Sequence, residues 1–310
     1  MATLHVEPWA PDYGSPVDFD DEMAFDPQDI ADGVEVEGRW EPIVRPGPEL
    51  PVIAFVDGVR RPDARITLDT PGAVPVPGLA GSFATGAVLW RRDGTLAEFH
   101  RPKVERVVVC GDSQLVHLPT VGPGIEYQPI SVQDRSPGAL ISAFHDAMRV
   151  AEADLAEDLA RGGYFVVADG PLNRLEPTPQ MGFIKSHRSS YLPDHRAHII
   201  AELGAGQRSP IFGIPNYERF SWYLRLASSP GDHSWSGVVR CEVSARHGID
   251  AAAGFADATT TLLPGVASER HRDARAPQNL VPIAGLEREL RRHMGSAPFL
   301  QRMIFEAVAA

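Results

Sequence analysis

The chain reads as an α/β protein built on a mixed sheet flanked by helices. Two short apolar runs, 52–56 and 164–168, have the composition of buried strands. A long amphipathic stretch, 137–161, lies between them, so a helix crosses from one strand to the other and leaves the two parallel. The segments 82–90 and 104–110, separated by the turn sequence Arg91, Arg92, Asp93, Gly94, add an antiparallel part.

In chain order, residues 1–50 form an acidic, irregular N-terminal arm with one short helix near 27–31. The main domain spans 51–295, and 296–310 is a C-terminal tail. The first buried strand, 52–56, ends at Asp57 and Gly58, and a Pro/Gly-rich loop over 70–81 precedes the hairpin strands. Ser136 and Pro137 open the long helix as N-cap and first helical residue. Its apolar stripe is Ile141, Phe144, Met148, Ala151, Leu155 and Leu159, and Gly162 and Gly163 end it. After the strand that ends at Asp169 come a strand at 182–185, a helix at 193–203 and a strand pair at 220–227 and 237–243. Helices at 249–262 and 283–294 follow a similar apolar spacing, with a basic loop between them.

Bulk properties bound the class. The 310 residues are 43% hydrophobic and 23% charged, enough for one large core or two small ones. No run approaches the roughly 18 apolar residues of a spanning helix. The first residues carry acids and prolines where a secretory signal needs a basic start and an apolar run. Cys110 and Cys241 are too few for a disulfide framework and stand in no zinc spacing, so they read as buried thiols in a cytoplasmic protein. The net charge of −12 excludes a protein that grips nucleic acid with its whole surface. A local basic groove beside clustered carboxylates remains compatible with it.

The two buried strands end alike, in Asp57–Gly58 and in Asp169–Gly170. A single Asp–Gly pair is an ordinary strand-end turn. On parallel neighbouring strands, however, the two carboxylates meet at one sheet edge, where open α/β sheets bind ligands. Carboxylates that close repel one another unless a proton or a hard cation neutralises them. A third acid, Glu152, borders the buried stripe of the long helix. Asp158 borders it on the other side, and geometry alone does not choose between them; Glu157 faces solvent.

The order of these pieces resembles RNase H-like nuclease cores, and specifically the NurA domain of prokaryotic DNA end-processing nucleases. The residues that carry the resemblance are Phe55, Val56, Asp57 and Gly58; Glu152; Ala168, Asp169, Gly170, Pro171 and Leu172; and Gly182, Phe183, Ile184, Lys185 and Ser186. Further along they are Trp222, Tyr223, Leu224, Arg225 and Leu226, then Arg240, Cys241 and Glu242. The resemblance implies that Asp57, Glu152 and Asp169 hold one or two Mn²⁺ or Mg²⁺ ions, that Tyr223 lies near the scissile phosphate, and that Lys185 contacts a phosphate. It implies exonuclease and single-strand endonuclease activity on DNA during end resection. It also implies a homodimer that docks on a HerA-type hexameric ATPase. No Walker A sequence occurs here, so such a motor is a separate chain.

Members of that family add a histidine in a final segment. Here the matching stretch, 275–286, has none, and Asn279 or Asp273 is the candidate for the last oxygen ligand, with His271 and His293 less well placed. This departure opens a second reading, a catalytically impaired scaffold that binds a translocase partner. A third is a glycosidase-like carboxylate hydrolase without metal dependence. Two basic clusters, 185–196 and 270–292, are candidate walls of a DNA groove through Lys185, Arg188 and Arg275, with Tyr191 or Trp222 available to stack on bases. Arg288, Arg291 and Arg292 read slightly better as a solvated helix face paired with Glu287 and Glu289.

Overall fold

A computed structural model describes residues 3–6, 30–50, 52–185, 191–228, 233–273 and 275–309. After β1 (Thr3–Val6) come β2 (Ile53–Asp69), β3 (Val76–Trp90) and β4 (Ala97–Cys110), a long antiparallel meander. The short β5 (Gln128–Ser131) precedes α1 (Pro137–Arg161), β6 (Phe165–Asp169) and β7 (Gln180–Ile184). Then follow α2 (His198–Glu202), β8 (Phe212–Ile214), β9 (Arg219–Arg225) and β10 (Val238–Ser244). Three helices complete the order: α3 (Ile249–Val266), α4 (Val281–His293) and α5 (Ala297–Ala309). The strands make one mixed sheet in the order β5-β4-β3-β2-β6-β7-β10-β9-β8, with β1 paired to β2 off that path.

The crossover forms as its sequence dictates. Ser136 accepts a hydrogen bond from the Ala139 N–H, Pro137 starts α1, and Leu140, Phe144 and Met148 turn inward. Phe144 lies over Gly81 of β3, where a Cβ would come 2.6 Å from the ring. The helix returns the chain to β6, parallel to β2, with Val56 opposite Ala168.

Alternation along β2 divides the two faces. Ala54 and Val56 pack with Ala156, Leu159 and Ala160 of α1. Phe55 and Val59 belong to the largest core cluster, with Val167, Phe183 and Trp222 below and α3 and α4 above, including Leu263, Ile283, Leu286 and Leu290. Each large side chain buried there contributes roughly 1.5–3 kcal/mol.

Several elements differ from the sequence reading. β2 does not end at Asp57; it runs on through Gly58, opposite Thr85, because β3 supplies a continuous partner as far as Leu68. Pro62 is accommodated by a register shift between Pro62 and Ala64. The helix expected over 193–203 is only the short α2, and β8 forms where the sequence pattern predicts no strand. Residues 30–50 are irregular but fastened: Trp40 is fully buried, and Ala31 and Ile43 bridge to Gly213 and Arg208. Most of the helix expected near 27–31 lies outside the described residues; Ala31 itself forms the bridge to Gly213. The expected tail is α5, whose Ile304 packs with Val108 and Tyr127. Among the described residues no helix is long and apolar enough to cross a membrane.

Candidate metal centre

Asp57 and Asp169 lie side by side because β2 and β6 are parallel neighbours in register. Asp57 shares a face with Phe55 and Val59, and Asp169 with Phe165 and Val167, so both carboxylates stand on the face that α4 covers. Glu287 comes down from α4 to meet them. One oxygen from each of the three lies within 4.8 Å of the other two. Asp57 and Glu287 are each only 7% exposed.

Such crowding has an electrostatic cost. Burial, then the charges of Asp169 and Glu152, pushes the Asp57 carboxyl well above the usual carboxylate range, and Lys185 only partly opposes this. Asp57 Oδ2 is buried with no hydrogen-bond partner among the described residues. Glu287 behaves oppositely. Burial pushes it up, but the Arg275 guanidinium, bonded at 2.9 and 3.0 Å, holds it below its ordinary value. Arg291 adds a contact at 3.3 Å. Lys185 Nζ donates to Asp169 Oδ2 at 2.5 Å and to Asn279 Oδ1 at 2.8 Å. The fully buried Asn279 in turn donates from Nδ2 to Asp273 Oδ2 at 2.6 Å.

Glu152 approaches from the α1 side. A Cβ on Gly58 would lie 2.3 Å from Glu152 Oε1, so the missing side chain is what leaves room for the carboxyl. Burial and the charge of Asp169 push Glu152 up to about 8, against the pull of Arg149, Arg60 and the Gly58 N–H. Glu152 and Asp169 line one small crevice with Val56 and Ala168.

Among solved structures, the chain is similar to the NurA nuclease from Sulfolobus solfataricus. The likeness covers 83% of this chain and 86% of that one, with a TM-score of 0.45 and 13% sequence identity. No protein-family model matches the sequence, and no curated protein matches it.

The structure therefore brings together Asp57, Asp169, Lys185 and Asn279 of the residues singled out in the sequence. Glu152 is next to them but outside the carboxylate trio. Asn279 spends its carbonyl oxygen on Lys185 rather than joining the carboxylates. Tyr223 is not brought to the site. It is fully buried on β9, stacked on Phe212 with ring centroids 5.8 Å apart, and four strand steps from β2, each about 4.8 Å. Trp222 and Tyr191 are also buried, the first bonded to Thr259 and the second beneath Arg240, so neither is an open stacking platform. Arg275 is committed to Glu287 on one side and half-exposed on the other. Arg188 lies outside the described residues.

Glu287 is the residue that sequence reading missed. Its signal was there: it follows Ile283 by four positions and precedes Leu290 by three, on the buried stripe of α4. The flanking arginines masked it as part of a wet face.

The donor set fits a hard divalent cation. All three groups offer carboxylate oxygen, one oxygen of Asp57 has no partner among the described residues, and burial penalises the uncompensated charge.

Proposed function

We propose that this chain is a divalent-metal-dependent nuclease that hydrolyses phosphodiester bonds in DNA. The observation that supports it most is Asp57 Oδ2, which has no hydrogen-bond partner among the described residues, inside a buried trio with Asp169 and Glu287. These three would hold the cation, with Glu152 behind Asp169. When bound, Mn²⁺ or Mg²⁺ supplies Lewis acidity toward the phosphate and activates water for attack. Lys185 offers positive charge beside Asp169, where a phosphate would gain negative charge in the transition state. Arg275, paired with Glu287 and half-exposed, would supply one wall of a DNA groove.

The finer assignments rest on the resemblance of the motifs. They are exonuclease and single-strand endonuclease activity in end resection, a homodimer, a HerA-type hexameric ATPase as partner and a cytoplasmic location. The net charge of −12 requires DNA contact to be local.

Purified protein should degrade linear DNA with Mn²⁺ or Mg²⁺ and not with EDTA. Asp57→Asn and Asp169→Asn should each lower the rate by about 100-fold or more, since each removes a ligand charge. Glu287→Gln should lower it by at least about tenfold. Cleavage that persists undiminished in Asp57→Asn overturns the assignment. Stable binding to a translocase without cleavage under any metal condition selects the impaired scaffold, a reading favoured by the lack of a histidine in 275–286 and by the net charge of −12.

A further inference from the structure

We propose that Lys185 is a displaceable counter-ion of the carboxylate centre, occupying Asp169 until a divalent cation takes its place. This rests on the metal site proposed above and adds to it an internal competitor that sets the affinity for the ion.

The positive groups around the trio are held in unlike ways. Arg275 grips Glu287 through two parallel hydrogen bonds, at 2.9 and 3.0 Å, and its backbone N–H is tied to Asp273 at 2.8 Å. A planar fork in that geometry has no reason to leave. Lys185 instead presents a compact ammonium on a flexible stem, with one contact to Asp169 at 2.5 Å and one to Asn279 at 2.8 Å. The two acceptors differ in kind. Asp169 is a carboxylate that a cation would claim, whereas Asn279 is a neutral amide.

Asn279 is also immobile. It is fully buried, and turning its amide would break the 2.6 Å bond from Nδ2 to Asp273. Its oxygen therefore keeps facing the ammonium after Asp169 is taken. The lysine is not expelled to solvent; it keeps one anchor beside the centre. Asp57 Oδ2, without a partner among the described residues, marks the position that the ammonium does not satisfy. The ammonium thus compensates half of the strand-borne pair, and a divalent ion would compensate both.

The test is calorimetric titration of MnCl₂ into the full chain, at fixed pH and ionic strength, for wild type, Lys185→Met, Lys185→Arg and Asp57→Asn. Removing a unit charge a few ångströms from the ion should tighten Mn²⁺ binding about tenfold or more in Lys185→Met. Lys185→Arg keeps the charge and should give no tightening, binding Mn²⁺ as wild type does or more weakly. Lys185→Met binding no tighter than wild type overturns the inference. If wild-type binding is lost in Asp57→Asn while Lys185→Met shows no gain, only the counter-ion role falls. If neither wild type nor Lys185→Met binds Mn²⁺, or Asp57→Asn binds as wild type does, the metal site falls and the inference with it. Melting temperatures of the same variants in EDTA and in Mn²⁺ give a second readout. The Mn²⁺-induced rise should be larger in Lys185→Met than in wild type.

Discussion

Glu152 rests where a side chain on residue 58 would begin, and both residues owe their role to that contact. A methyl group at 58 would come 2.3 Å from the carboxyl oxygen. Gly58→Ala should therefore force Glu152 aside and cost about 1–3 kcal/mol, measured by urea unfolding. Adding Glu152→Ala to that variant should cost little more; full additivity would refute the steric coupling. Glu152 also makes stability depend on pH. Its carboxyl, ordinarily near 4.5, is pushed up to about 8 in the fold, so the folded state keeps a proton that the unfolded chain releases. Stability then falls as pH rises from about 4.5 to about 8, by at most roughly 4–5 kcal/mol and less where solvent reaches the carboxyl. In EDTA the melting temperature should drop between pH 5 and pH 9, and Glu152→Gln should flatten that drop. An equal drop in the variant would assign it to other groups. Glu287 shows how a single residue escapes a sequence reading, since charged neighbours suggested solvent and only the 3.6-residue spacing pointed inward.

Among the elements, α1 was the most legible. Its cap, its opening proline, its stripe and its terminal glycines are local signals, and the helix begins and ends with them. Phe144 is the anchor of its outer half, touching Phe83 at a centroid distance of 6.4 Å and lying on Gly81. Phe144→Ala should cost about 3–5 kcal/mol in urea unfolding, because neither sheet nor helix can close the gap. A loss under about 1 kcal/mol would mean that α1 settles onto the sheet. β2 was legible only as far as Val56. Asp57–Gly58 has turn chemistry, and what overrides it is β3, a partner whose presence the local residues do not announce. The same limit hid β8 and shortened α2, whose lengths are set by packing rather than propensity.

Across the whole molecule, the mixed sheet and the parallel pairing of β2 with β6 followed from the order of apolar segments. The fastening of residues 30–50 did not, because it depends on ion pairs between distant positions. Arg208, fully buried, donates to both oxygens of Glu35 at 2.7 and 2.9 Å and to Asp257 on α3 at 2.8 Å. Arg208→Met would strand two acids in the interior and should cost about 3–5 kcal/mol, seen as a lower melting temperature. A change below about 1 kcal/mol would show that the segment is held by Trp40 and its neighbours instead.

The continuity of β2 through residue 57 has a consequence for how the centre works. Asp57 is laddered to Gly86 on one side, and its neighbour Val56 to Ala168 on the other, so its backbone exchanges amide hydrogen only when the middle of the sheet opens. The floor of the centre is finished when folding is finished. A cation entering the proposed centre would meet main chain already ordered at Asp57 and only side chains to move there, which favours fast association over one gated by refolding of that strand.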